Sequence, residues 1–245
     1  MAPLQTLQAI VLGIIQGLTE FLPISSSGHL LLVPWVLGWE PMGLTFDVIV
    51  HGGTLLAVVI YFRQDWLKMT RQMFTRMTRP EVPDSTNSLA MPLLVGTVPA
   101  AAAGIFFEDF IEHQLRSPVI TAFALAAFGL LLWSADRRGS QKRSLESLSL
   151  RDGLVIGAAQ AVALVPGVSR SGVTITAALF LGMSRADSAH LSILLGTPII
   201  AGATALRLYG LLQAQDMEMS STVTLLTGVV SSSISGFLCI KYLFS

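Results

Sequence analysis

The chain has 245 residues, 52% of them hydrophobic and 12% charged, with a mean hydropathy of +0.67. A water-soluble domain carries about 25% charged residues, so half that share leaves too little polar surface to face water and places the chain in the membrane class. Fifteen basic and fifteen acidic side chains cancel, which excludes a general attraction to nucleic acid; a single cysteine, Cys239, excludes an intrachain disulfide.

Residues 1–8 carry no Lys or Arg, unlike a secretory leader, so the first apolar stretch is expected to stay in the mature protein. That stretch, 4–38, is broken at 22–28 by Leu-Pro-Ile-Ser-Ser-Ser-Gly. Unbroken apolar stretches follow at 44–62, 89–107 and 118–135. A second broken one, 153–182, is interrupted at 166–172 by Pro-Gly-Val-Ser-Arg-Ser-Gly, and unbroken stretches return at 188–211 and 222–244. A spanning helix needs about 20 apolar residues. Five stretches meet that length, whereas each arm of the broken pair has only about 10–18 residues. Irregular backbone at membrane depth is tolerated only inside protein or beside a water-filled cavity. The expected fold is therefore an all-α integral membrane protein with about five spanning helices and two re-entrant hairpins whose tips meet inside.

The two broken stretches resemble each other. At an offset of 144, Gly13, Gln16, Ser25, Ser27, Gly28, Leu37, Gly38 and Gly52 fall on Gly157, Gln160, Ser169, Ser171, Gly172, Leu181, Gly182 and Gly196. The pattern points to one membrane domain built from a duplication, about 4–135 and 150–245. Arg63, Lys68, Arg71, Arg76 and Arg79 follow the first span, and Arg137, Arg138, Lys142, Arg143 and Arg151 follow the third. The intervening loops hold only Arg116, which puts the basic loops in the cytoplasm. The first hairpin then enters from outside and the second from the cytoplasm, an inverted-topology repeat with a binding site expected at its interface.

Ionisable groups are scarce in the broken stretches, and such groups in a membrane mark function. Glu20 and His29 are the only ones up to residue 39; Arg170 is the only one in 153–184. Arg170 sits where a helix must restart. Helix N-terminal amides, a guanidinium and the hydroxyls of Ser169, Ser171 and Thr174 together suit an anion such as phosphate; Arg170 also suits an ion pair with Glu20. In the first break, Ser25, Ser26 and Ser27 precede His29. Ser26 and His29 are i and i+3 on a helix starting there, placing a base beside a nucleophile, while Ser25 or Ser26 equally suits a helix cap. Asp47 and His51, i and i+4, suit support of the site, a cation, or a satisfied polar pair. His190 reads as structural, and Asp84 and Asn87 as solvated surface.

Two strings carry a resemblance. Residues 16–29, Gln-Gly-Leu-Thr-Glu-Phe-Leu-Pro-Ile-Ser-Ser-Ser-Gly-His, and 166–174, Pro-Gly-Val-Ser-Arg-Ser-Gly-Val-Thr, resemble the undecaprenyl-diphosphate phosphatase family, also called bacitracin-resistance proteins. Phe46-Asp47, His51 to Thr54 and Tyr61 to Arg63 add to the likeness, which runs over nearly the whole chain. The resemblance implies hydrolysis of undecaprenyl diphosphate to the monophosphate carrier lipid on the outer face of a bacterial plasma membrane, serving cell-wall synthesis and bacitracin resistance. It implies a site lined by Glu20, Ser26, His29, Arg170, Ser169, Ser171 and Thr174, with Ser25, Ser27 and Gln16 beside them. The family's first acidic motif begins with Glu or Gln, and here it is Gln16. The family also has one more spanning segment; at the 144 offset it falls at about 262–279, past Ser245.

The expected chemistry is phosphoryl transfer. Arg170 and helix N-termini hold the diphosphate, Ser26 attacks phosphorus or orients water, and His29 handles the proton. Glu20 orients His29 or Arg170, or holds a divalent cation, magnesium or calcium. Because broken helices in repeats are also a transporter architecture, the alternative is a polyprenyl-phosphate transporter.

Overall fold

The computed structural model describes residues 2–78, 89–213 and 219–244, so Arg79, Asp84 and Asn87 lie outside the described residues. Within them the regular structure is helical, apart from one β-bridge between Arg143 and Met183, with turns and short loops between the helices. A first hairpin, α1 (Ala2–Phe21) and α2 (Ser26–Leu37), leads to α3 (Gly43–Tyr61), α4 (Arg63–Thr78), α5 (Ala90–Phe110) and α6 (Pro118–Arg138). A second hairpin, α7 (Leu150–Val162) and α8 (Arg170–Phe180), leads to α9 (Arg185–Gln213) and α10 (Met219–Leu243). α3, α5, α6, α9 and α10 contain the five stretches long and apolar enough to cross a membrane. Their outward faces carry bare hydrocarbon, as at Phe106, Phe123 and Leu130, which lipid rather than water tolerates. The protein is an all-α integral membrane protein.

Both hairpins turn by similar local chemistry. Pro23 and Pro166 lie where the first arms stop, and proline cannot supply the N–H that a continuing helix needs. Gly167 takes a left-handed φ of 96°, and a Cβ there would collide with the carbonyl of Thr121 on α6. Each second arm then opens on a serine cap: Ser25 Oγ accepts from the Gly28 N–H at 3.2 Å, and Ser169 Oγ from the Gly172 N–H at 3.0 Å. Ser26 and Arg170 thus each occupy the first residue of a helix.

Packing crosses the sequence. α1 lies along α10, α5 along α7, and α3 touches α10 and α9, while α8 is covered by α6 and α9. Helices in lipid gain nothing from hiding apolar surface, so close backbone approach and interhelical hydrogen bonds hold them together. Gly157 on α7 meets Gly96 of α5 backbone to backbone, leaving no room for a side chain. On α10, Ser232 Oγ donates to the Val50 carbonyl at 2.8 Å and Ser233 Oγ to that of Gly53 at 2.9 Å, both on α3.

The cation-rich segment after α3, read from sequence as a loop, is helical. α4 turns Trp66 and Met69 inward and leaves Lys68 and Arg71 exposed. Its charges mask the underlying period.

At the open end of the second hairpin, Ser149 caps α7 and Asp152 completes the reciprocal box, its Oδ2 accepting from the Ser149 N–H at 2.9 Å. Arg143 closes on the same carboxylate with Nη2 to Oδ2 at 2.7 Å and Nη1 to Oδ1 at 3.3 Å. That fork, seconded by Ser149, holds the Asp152 carboxyl down to about 2. A lowered carboxyl contributes stability that is present in full above the ordinary value of 3.8 and is lost as pH falls toward about 2. Asp152→Asn is therefore expected to melt below the parent at pH 7 in a detergent thermal-shift measurement, with the gap closing as the pH drops from about 4 toward 2.

Candidate active site

Glu20, in the last turn of α1, is 4% exposed and satisfied entirely by side chains. Its Oε1 accepts from Arg170 Nη2 at 2.7 Å. Its Oε2 accepts from Ser26 Oγ at 2.5 Å and from Gln16 Nε2 at 3.0 Å, with His51 Nε2 at 3.4 Å. The two hairpin tips are thus joined through one carboxylate. A buried carboxylate is tolerated only when paired and hydrogen-bonded, and here both oxygens are engaged.

Arg170 is steered from α9. Its Nη1 donates to the Ser192 carbonyl at 3.2 Å, and the guanidinium lies against Gly196, where any Cβ would overlap it. Glycine at 196 is what lets the guanidinium lie flat on the helix. Ser171 Oγ donates to the Leu22 carbonyl at 3.1 Å and fastens the second tip to the break in the first. Ser169 and Ser171 hydroxyls lie 3.1 Å apart, and those of Ser25 and Ser27 3.4 Å apart. Ser25 takes φ 65°, a left-handed conformation that a non-glycine residue adopts at a cost of about 1–3 kcal/mol. This bend sets Ser26 directly against Glu20.

These groups border a cavity of about 190 Å³, lined by Glu20, Ser25, Ser26 and Ser27 from the first tip and by Ser169, Arg170 and Ser171 from the second. Two helix N-termini open into it, each favouring negative charge. The cavity shares Ser27, His51, Leu164 and Ile199 with a second, mostly aliphatic chamber of about 420 Å³. At that chamber's edge, Arg116 Nη2 donates to Asp47 Oδ2 at 2.6 Å. A charged head and an apolar tail therefore find adjoining compartments.

Of the residues expected from sequence, Glu20, Ser26, Arg170 and Gln16 form one cluster, with Ser25, Ser27, Ser169 and Ser171 on the cavity wall. Thr174 does not line it; its hydroxyl bonds the Arg170 carbonyl at 2.8 Å and Ser192 Oγ at 2.7 Å, and so supports α8 from behind. His29 lines neither compartment; its Nδ1 is held by the Ser25 carbonyl at 2.7 Å. The imidazole that reaches Glu20 is His51 of α3. A carbonyl can only accept, so the Asp47 carbonyl fixes the Nδ1–H of His51 and turns Nε2 toward the carboxylate. Spacing from Asp47 marked His51 as a polar residue in a span, but not which wall it joins. Among the described residues, no group of three His, Cys, Asp or Glu side chains converges for a metal.

Residues 9–245 match the family described as bacitracin resistance protein BacA. The chain belongs to this family. Among its relatives, undecaprenyl-diphosphatase 2 of Stutzerimonas stutzeri is 52% identical over 240 residues, covering 96% of the chain and 87% of the relative. The undecaprenyl-diphosphatase of Geobacter sulfurreducens is 48% identical over 238 residues, covering 97% and 88%. That of Thermomicrobium roseum is 47% identical over 244 residues, covering 96% and 87%. Within a chain of this BacA family, the fold and the cluster around Glu20 acquire a common setting: two motifs, one from each hairpin, brought to one carboxylate.

Because Gly196 makes room for the guanidinium, Gly196→Ala is expected to dislodge Arg170 from Glu20. Phosphate release from a lipid diphosphate should fall by at least about tenfold, the effect of misplacing a positioned charge, while circular dichroism stays helical.

Proposed function

We propose that the protein hydrolyses undecaprenyl diphosphate to undecaprenyl phosphate and inorganic phosphate, recycling the carrier lipid for cell-wall synthesis and so conferring bacitracin resistance. The observation that carries this reading is the Ser26 hydroxyl on the Glu20 carboxylate at 2.5 Å, facing Arg170 over a cavity that continues into an apolar chamber. The relatives bear the name undecaprenyl-diphosphatase, and that name speaks for hydrolysis over the alternative of lipid transport.

In this reading the diphosphate enters with its charge toward Arg170 and its first prenyl units in the aliphatic chamber. Arg170 exchanges its Glu20 contact for phosphate oxygens, engaging them with a planar fork. Freed on one oxygen, Glu20 takes the Ser26 proton as Oγ attacks the terminal phosphorus. The bridging P–O bond breaks, undecaprenyl phosphate leaves with the proton that Glu20 took from Ser26, and phosphoserine remains beside an ionised Glu20. Water then attacks that phosphorus, its proton passing to Glu20, and phosphate departs as Ser26 regains its hydrogen. Arg170 and the two helix N-termini stabilise charge developing on the transferred group. His51 Nε2 lies 3.4 Å from Glu20 and borders the carboxylate from α3; we assign no step to His29. Where magnesium or calcium accompanies the diphosphate, Glu20 is the carboxylate available to it, and one carboxylate plus substrate phosphates is a usual magnesium environment.

We place the protein in the bacterial plasma membrane with the site facing outward. The support is the basic character of the segments after α3 and α6, and the position of the chamber at the opposite end, where Asp47 and Arg116 lie near the start of α3 and of α6.

Two measurements test these assignments. Ser26→Ala is expected to lower kcat for phosphate release by about 100-fold or more while KM stays near the parent, because the loss falls on the chemical step; a comparable loss in Ser25→Ala alone would remove Ser26 as nucleophile. For orientation, a cysteine at Gln114 should react with an impermeant reagent from outside and one at Gly139 only from the cytoplasm. Labelling of both from one side would overturn the placement, since α6 alone separates them.

A further inference from the structure

Gln160, on α7, is 2% exposed and lines the cavity that holds Glu20, Ser26 and Arg170. Among the described residues, neither its amide nitrogen nor its amide oxygen has a hydrogen-bond partner. Buried amides are almost always bonded, and an unpartnered one is destabilising. The residue 144 places earlier, Gln16, gives its Nε2–H to Glu20 at 3.0 Å. Four residues beyond Gln160, where the first hairpin has Glu20, stands Leu164, an aliphatic wall of the same cavity. The first hairpin therefore ties its amide to a carboxylate, while the second leaves its amide unengaged near a guanidinium. Thr204 of α9 lines the cavity too, and its buried hydroxyl likewise has no partner among the described residues.

We propose that Gln160, seconded by Thr204, is a substrate-binding group that receives the diphosphate through neutral hydrogen bonds. Its Nε2–H donates to an unesterified phosphoryl oxygen, and its Oε1 accepts from a phosphoryl hydroxyl or from the hydrolytic water. Arg170 already supplies the positive charge. A neutral amide adds direction without adding electrostatic hold, so that the phosphate dianion produced at the end is not retained. The inference rests on the phosphatase reading for its substrate, but the unpartnered amide is independent of it.

The test uses the full-length protein purified in detergent, with three readouts for parent, Gln160→Leu and Thr204→Val: melting temperature without ligand, its rise with inorganic pyrophosphate, and KM and kcat for phosphate release from a polyprenyl diphosphate. Removing an amide that bonds nothing among the described residues should leave the ligand-free melting temperature of Gln160→Leu at or above the parent's. Its pyrophosphate-induced rise should shrink by at least about half and its KM increase by about tenfold, the loss of one hydrogen bond to a charged group. Thr204→Val should shift both in the same direction by about two- to threefold. A Gln160→Leu protein that melts lower or fails to fold overturns the proposal, because the amide would then be structural. So does one with parental KM and parental pyrophosphate stabilisation. If pyrophosphate stabilises the parent and not Gln160→Leu, yet the parent releases no phosphate from the lipid, the subsite stands and the phosphatase reading falls.

Discussion

The contact between Glu20 and Arg170 is the constraint around which the rest is arranged. Alone, either charge would cost about 2.5–3.5 kcal/mol at the centre of a membrane. Together, at 2.7 Å and with their remaining valences met by Ser26, Gln16 and the Ser192 carbonyl, they are tolerated. The pair is not a source of large net stability, since buried ion pairs roughly balance their own desolvation. Its effect is on registration. Removing one partner strands the other, at about 3–5 kcal/mol, so arrangements in which the two hairpin tips do not meet are disfavoured. Gly196 beneath the guanidinium and His51 beside the carboxylate confine the pair from α9 and α3.

The same economy makes the site substrate-ready. With Glu20 and Arg170 engaged, the cavity carries little net charge, and a phosphate competes with the carboxylate for one guanidinium. Binding therefore need not drag an uncompensated cation out of hiding; in the proposed reaction it exchanges one anion for another at Arg170 and leaves one oxygen of Glu20 free beside the Ser26 hydroxyl. The strained backbone at Ser25 belongs to this arrangement, since a relaxed cap would turn Ser26 elsewhere.

Sequence and structure agree where physics is local. The five spans follow from apolar length, and the two breaks from Pro23 and Pro166-Gly167, whose backbones cannot continue a helix. Glu20 and Arg170 stood out because charge in lipid is rare. Orientation about a helix axis is another matter. Ser26 and His29 are one turn apart, yet His29 is held by its own helix's carbonyl, while His51, twenty-two residues later, reaches the site because α3 passes beside α1. Gln160 was visible only as a match to Gln16; that its amide would be left unpartnered depends on Leu164 and on the walls supplied by α5 and α9. α4 is not legible as a helix in the sequence because its cations outweigh its apolar face in any average.

The pairing of α1 with α10 has a consequence for biogenesis. The first helix made finds its longest neighbour only after roughly 200 more residues have been polymerised, which at about 5–20 residues per second takes some 10–40 s. Until then Gly13 and Gly17 lack Ser231 and Ser235, which lie against them from α10, and Glu20 has already waited through the 150 residues that separate it from Arg170. Until Arg170 arrives that carboxylate has no guanidinium to pair with, and an unpaired charge away from water is costly. The order of synthesis thus turns the closing of the ion pair into a late event, when the nascent chain first becomes able to hold a charge in its interior.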